Sequence, residues 1–232
     1  MISCLTVTHG RYKQLCQAAA CWAWQDYADR EWVILNTHPE PLRTTMQGVK
    51  ILNEPWHDDL GAGRIRVLEE ARGDFVHTWD DDDFWFPWHL SQAMARIGEA
   101  DGWKPSRSWF LHGGKGYLEA AGNAFEASVL FRTAAVRRVG YRIGQGDEHG
   151  PLLANLRIVD EDVGPERFSY VYTWGFGMHH ASGSLGGKAS LSQRVAAWKA
   201  AHQDTGNGAS IEPGDVSFLP TLRDAALARG AG

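Results

Sequence analysis

Residues 63–90 read GRIRVLEEARGDFVHTWDDDDFWFPWHL, a helix, a short strand and an acidic run in immediate succession. Leu60 to Ala71 has helical spacing, and Gly73 stops the helix. Phe75 to Trp79 is a short β-rich run. Asp80, Asp81, Asp82 and Asp83 follow it at once, and Phe84, Trp85 and Phe86 come next. Four adjacent carboxylates repel one another, so the run needs either full solvation or a cation. Solvated charge runs seldom sit among aromatic residues. A hard divalent cation, Mg²⁺ or Mn²⁺, is the natural partner, and it commonly bridges protein carboxylates and substrate phosphates.

Working upstream, Ile2 to Thr8 reads as a strand. Tyr12 to Trp24 reads as a helix, with Leu15, Ala18, Ala19 and Trp22 at helical spacing. Trp32 to Leu35 and Val49 to Leu52 are two more short apolar runs. This βαβ rhythm predicts an α/β fold with a right-handed, mostly parallel sheet and helices on both faces. Ligands of such sheets sit at the carboxyl ends of the strands, which is where the aspartates fall.

Downstream the pattern is less regular. Pro87 to Ile97 is helix-like, with Pro in its first turn. Trp109 to Leu111, Tyr117 to Glu119 and Ser128 to Phe131 read as strands of a separate, mixed region. Thr133 to Val139 and Leu152 to Leu156 read as short helices, and Phe168 to Trp174 as a strand. Gly175 to Gly187 reads as a mobile loop, Leu191 to His202 as a helix, Thr205 to Gly214 as a polar linker, and Leu222 to Ala228 as a terminal helix.

Composition narrows the class. The 232 residues are 44% hydrophobic and 22% charged, which excludes a largely disordered chain and a collagen-like repeat. With 23 Lys and Arg against 28 Asp and Glu, the net charge is -5, unlike a non-specific nucleic-acid binder. Cys4, Cys16 and Cys21 are too few and too clustered for a disulfide scaffold. MISCLTVTHGR lacks the features of a secretory signal, and no run of about 18 apolar residues predicts a membrane span. The expectation is a soluble cytoplasmic protein. Eleven Trp fill a core, line a cleft, or both.

The central stretch resembles the core of the family 2 glycosyltransferases with the GT-A fold. Gly63-Arg64-Ile65 stands at that family's Ala-Arg-Asn-like turn, Ala71-Arg72-Gly73-Asp74 at its Ala-Arg-Gly-acid step, Asp80 to Asp83 at its Asp-x-Asp-Asp motif, and Pro87 at the usual distance after it. TVTHGR, residues 6–11, resembles the opening strand and base-binding turn, and SVLFRTAAVRRVG, residues 128–140, the strand and helix that lead into the acceptor region. The resemblance implies one GT-A-like domain over residues 1–204. A nucleotide-sugar-binding half takes residues 1–100 and a smaller mixed acceptor half residues 101–204, with a linker and helix at 205–232.

It also implies a function: transfer of a sugar from a nucleotide-diphosphate donor, a UDP-sugar first, to a hydroxyl acceptor, with inversion and with Mn²⁺ or Mg²⁺ as cofactor. Asp80, Asp82 and His180 fall on metal positions, His180 alternatively on a diphosphate contact. Thr8, Arg11, Asn36, Arg64, Asp80 and Asp81 fall on or near the nucleotide. The acceptor hydroxyl must lose a proton as it attacks, and the base position falls on Glu148 or, with a one-residue shift, on Asp147. Acidic residues also favour a helix N-terminus for purely structural reasons. Two positions depart from the pattern: Asn36 stands where an acid reads the base, and Ile65 replaces the Asn of the turn.

Three other readings compete. A non-catalytic nucleotide-sugar or carbohydrate-binding protein would keep the pocket and lose the base. A metal-dependent phosphate hydrolase would need no acceptor. The acceptor itself is a glycan, a protein, a lipid or a hydroxymethylated DNA base, and a basic face of Arg132, Arg137, Arg138 and Arg142 would favour DNA. Trp85 and Trp88 either stack on a sugar or pack against the sheet.

Overall fold

The computed structural model describes residues 1–54, 59–112, 115–118, 126–144, 148–163 and 167–174. In chain order the elements are β1 (Ile2–Thr8), α1 (Tyr12–Trp24), β2 (Arg30–Asn36), β3 (Val49–Asn53), α2 (Leu60–Glu70), β4 (Phe75–Thr78), β5 (Phe84–Trp85), α3 (His89–Arg96), β6 (Gly102–Pro105), β7 (Trp109–His112), β8 (Lys115–Leu118), a 3₁₀ turn at Glu126–Ser128, β9 (Leu130–Arg132), α4 (Thr133–Val139), α5 (Gly150–Asn155), β10 (Ile158–Glu161) and β11 (Tyr170–Trp174). The predicted α/β architecture is present. A seven-stranded sheet runs β10-β6-β9-β4-β1-β2-β3, and a four-stranded sheet runs β5-β11-β7-β8. In the large sheet β1 pairs in parallel with β2 and β4, β2 with β3, and β10 with β6, while β9 is antiparallel to β4 and β6.

Alternation along β1 builds the two cores. Ile2 and Cys4 join Trp32 and Ile34 of β2 under α1 and α3, with Leu15, Ala18, Trp22 and Leu90. Leu5 and Val7 join Val33 and Leu35 on the opposite face under α2, α4 and α5, with Val67, Val136 and Leu152. A Cβ on Gly63 would stand 3.1 Å from Val7 Cγ1, so a larger residue there would press α2 against the end of β1. Asp59 caps α2 through the Ala62 amide at 2.9 Å. These contacts hold the start of α2 against the carboxyl end of β1, beside the aspartates that follow β4.

Several side chains weighed as functional belong to this frame. Trp85 is fully buried and stacks on Trp79 with ring centroids 4.0 Å apart. Trp88 stacks on Phe86 at 4.9 Å and lines a surface cavity of about 630 Å³ with Gln92, Arg96 and Arg167. Arg132 donates to the carbonyls of Gly98 and Ala100, Arg137 to those of Leu68 and Ala71, and Arg138 to Asp101. Arg137 thus satisfies carbonyls at the end of α2, and Arg132 those of the turn after α3. The three cysteines are free thiols. Among the described residues no helix is long and apolar enough to cross a membrane.

Candidate active site

The aspartate run is not a solvated loop. Asp81 and Asp83 are buried, Asp82 is 7% exposed, and only Asp80 keeps a quarter of its side chain open. The expected requirement was solvent or a bound cation. The structure instead supplies cations of its own. Arg64 Nη2 reaches both oxygens of Asp80 at 2.9 and 3.3 Å. Arg11 donates to Asp81 and reaches Asp82 Oδ2 at 2.7 Å. The Thr8 hydroxyl donates to Asp81 at 2.5 Å, and the Tyr170 hydroxyl donates to Asp83. Every carboxylate of the run is therefore held by a partner from another part of the fold, with Arg11 shared by Asp81 and Asp82.

Burial and charge oppose each other here. Desolvation pushes the Asp81 carboxyl up to about 7, against the pull of Arg11 and Thr8 and with the push of Asp82. Desolvation raises Asp80 too, against Arg64. Arg64 is itself buried; desolvation disfavours its charge, yet Asp80, Glu126 and Glu148 hold it firmly protonated. Its Nε lies 3.7 Å from Glu148 Oε1. Glu148 is buried, which favours its neutral form, but His149 and Arg64 hold its carboxyl down at about 2. Burial disfavours a charged His149, while Glu148 raises its pKa.

The structure thus brings Thr8, Arg11, Arg64, Asp80, Asp81, Asp82 and Glu148 into one region. Asn36 lines one cavity with Thr8 and Arg11 and has its amide engaged by the loop after β2. Its amide donates to the carbonyls of His38 and Glu40 and to Asn53, and its oxygen accepts from the His38 amide. It organises the loop after β2. That loop walls a cavity of about 510 Å³ lined by Thr8, Gly10, Arg11, Tyr12, Asn36, His38 and Glu40, among others. Gly10 has φ +66°, and a Cβ there would meet the His38 ring at 3.0 Å. Asp147 and His180 lie outside the described residues, as do the loop at 175–187 and the boundary at 204. Sequence reasoning missed two buried neighbours of Arg64. Glu126 accepts from the Thr78 hydroxyl and, at 3.0 Å, from the Tyr141 hydroxyl. Neither Glu126 nor Tyr141 carries a local motif.

The residues present fit a hard divalent cation in their chemistry. Asp80 and Asp82 offer carboxylate oxygens, and such ions complete their shells with water and phosphate oxygens. Among the described residues no three His, Cys, Asp or Glu side chains come together to hold an ion.

A mostly parallel α/β sheet with an acid run beyond its central strand defines a GT-A-like fold class. Solved structures share this fold. TarS 1–349 of S. aureus with UDP-GlcNAc matches at TM-score 0.62 and 18% identity, over 99% of this chain and 71% of that one. TarS 1–349 in a further structure matches at TM-score 0.58 and 18% identity, over 74% of this chain and 60% of that one. The mannosyltransferase PcManGT of Pyrobaculum calidifontis, with GDP-Man and Mn²⁺, matches at TM-score 0.54 and 13% identity, over 99% and 72%. The chain thus spans 60% of the length of that second TarS 1–349 structure and 36% of a longer TarS structure. No curated protein matches the chain. The model of the glycosyl transferase family 2 matches residues 3–120, just over half of the sequence, and the chain belongs to that family.

Proposed function

We propose that the protein transfers a sugar from a nucleotide-diphosphate donor, a UDP-sugar first, to a hydroxyl acceptor with inversion, using Mn²⁺ or Mg²⁺ bound by Asp80 and Asp82, with His180 as a further ligand. One observation carries the reading: Arg11, which lines a cavity of about 510 Å³, binds Asp82, while Arg64 joins Asp80 to the Glu148 carboxylate. A cation there would neutralise charge on the leaving diphosphate. Thr8 and Arg11 line both the cavity and the acid run, so they would orient the nucleoside against its diphosphate. In the transfer itself the acceptor oxygen forms its bond to the anomeric carbon as the bond to the diphosphate oxygen breaks. The acceptor proton passes to Glu148 or Asp147. Glu148 held at about 2 is ionised and open to a proton, but it is a weak base while His149 and Arg64 attend it. The binding-only alternative expects a carboxylate turned away from the site. The 3.7 Å approach of Glu148 to Arg64 favours turnover instead.

The test is nucleotide release from a panel of nucleotide sugars, with and without Mn²⁺ or Mg²⁺. Slow metal-dependent hydrolysis of one donor is the expected result. No release from any donor, together with no metal-dependent nucleotide binding, overturns the reading. The engagement of Arg132, Arg137 and Arg138 with carbonyls and Asp101 disfavours a DNA acceptor.

A further inference from the structure

Arg64 sits between the two acids to which the proposed function gives different roles, yet few hydrogen bonds fix it. Its Nη2 is bound by Asp80, while its buried Nε and Nη1 have no hydrogen-bond partner. Glu148 approaches Nε only at ion-pair distance, 3.7 Å. The charges of Asp80, Glu126 and Glu148 all favour its protonated form.

Of those three, Glu126 is held by hydroxyls from two separate chain segments. It is 3% exposed and accepts from two buried hydroxyls. The first belongs to Thr78, the last residue of β4 and two residues before Asp80. The second belongs to Tyr141, next to Arg142, whose amide donates to the Glu148 carbonyl at 2.8 Å. One side chain therefore joins the strand that carries Asp80 to the segment that carries Glu148. Its charge also faces the guanidinium between them.

We propose that Glu126 is a positioning residue for transfer, setting Arg64 between Asp80 and Glu148 through the hydroxyls of Thr78 and Tyr141. The proposal rests on the function proposed above. Glu126 does no chemistry itself. A glutamine there keeps the size and one acceptor oxygen but removes the charge and offers an amide where two hydroxyls donate.

The test compares Glu126→Gln, Thr78→Ser and Thr78→Val with the parent protein. Nucleotide release gives kcat and donor KM, thermal melting reports folding, and ¹⁵N-arginine NMR reports the Arg64 Nε–H, identified by its loss in Arg64→Lys. In Glu126→Gln, kcat falls about 10- to 100-fold with donor KM within two-fold, and the Arg64 signal shifts or broadens. Thr78→Ser keeps the hydroxyl and the parent rate, whereas Thr78→Val follows Glu126→Gln. A kcat within two-fold of the parent overturns the proposal. So does an unmoved Arg64 signal, or a variant that only melts earlier at an unchanged rate per folded molecule. If the parent releases nucleotide from no donor, the proposed function fails, and the Arg64 signal alone then decides whether Glu126 places that arginine.

Discussion

Two histidines buried beneath the aspartates should make the protein acid-labile well above the range where carboxylates titrate. His77 Nε2 faces His89 Nε2 at 2.6 Å, and His89 Nδ1 lies 2.9 Å from Ser169 Oγ. Both rings are fully buried. Burial pushes His77 down to about 3 and, with His77 as neighbour, pushes His89 well below its ordinary value. A histidine depressed in the folded state takes up its proton only in the unfolded chain. Stability is complete above about pH 6.5, the ordinary histidine value, and falls as pH drops below it. The slope is about 1.4 kcal/mol per pH unit for each ring. Between pH 7 and 5 each ring loses about 2 kcal/mol and the pair about 4, a large part of a typical stability of roughly 5–15 kcal/mol. Urea unfolding followed by Trp fluorescence at pH 7, 6 and 5 measures it. The control is His77→Leu/His89→Leu, which removes both partners at similar volume. Carboxylate contributions are common to both proteins and cancel in the comparison. The double variant should lose about 4 kcal/mol less than the parent over this range. Equal losses would refute the reasoning.

Asp82→Ala should abolish metal-dependent nucleotide release while circular dichroism stays that of the parent; full activity would sink the metal assignment. Glu148→Gln should lower kcat about 10²- to 10⁴-fold, the span of general-base catalysis, with donor affinity by calorimetry unchanged. If Asp147→Asn carries that loss instead, the base is Asp147. Gly63→Ala should destabilise by about 1–3 kcal/mol in urea titration, because its Cβ lands 3.1 Å from Val7 in a packed layer. An unchanged midpoint would mean that α2 is free to move off β1.

Much of the fold is legible in the sequence where the signal is local. The predicted bounds of β1, α1 and α4 coincide with those observed because periodicity and flanking residues mark both ends. β5, β6 and β10 escape such reading for physical reasons. β5 is two residues long, β6 ends in proline, and β10, Ile158–Glu161, carries two acids. Acids suit β10 because it lies at the sheet edge, where charge discourages further pairing. In the site, the aspartates announce themselves by their spacing, and Arg11 and Arg64 by resemblance. Glu126 and Tyr141 gain meaning only when chain segments 15 residues apart meet over Thr78. No spacing rule announces a buried triad of that kind, nor the His77–His89 pair.

The division of the four aspartates explains how so much like charge fits into so small a volume. Asp80 turns to α2 through Arg64, Asp81 to the end of β1 and the start of α1 through Thr8 and Arg11, and Asp83 to β11 through Tyr170. Asp82 shares Arg11 with Asp81. The run therefore locks four elements together, and its cost in repulsion is offset by two guanidinium groups and two hydroxyls. The same partners limit what the run can do chemically. Asp81 and Asp83 are buried and committed to their neighbours. Asp80 keeps a quarter of its side chain open, and Asp82 is paired with Arg11, which lines the cavity. A cation held by Asp80 and Asp82, as proposed above, must therefore compete with Arg64 and Arg11 for their oxygens.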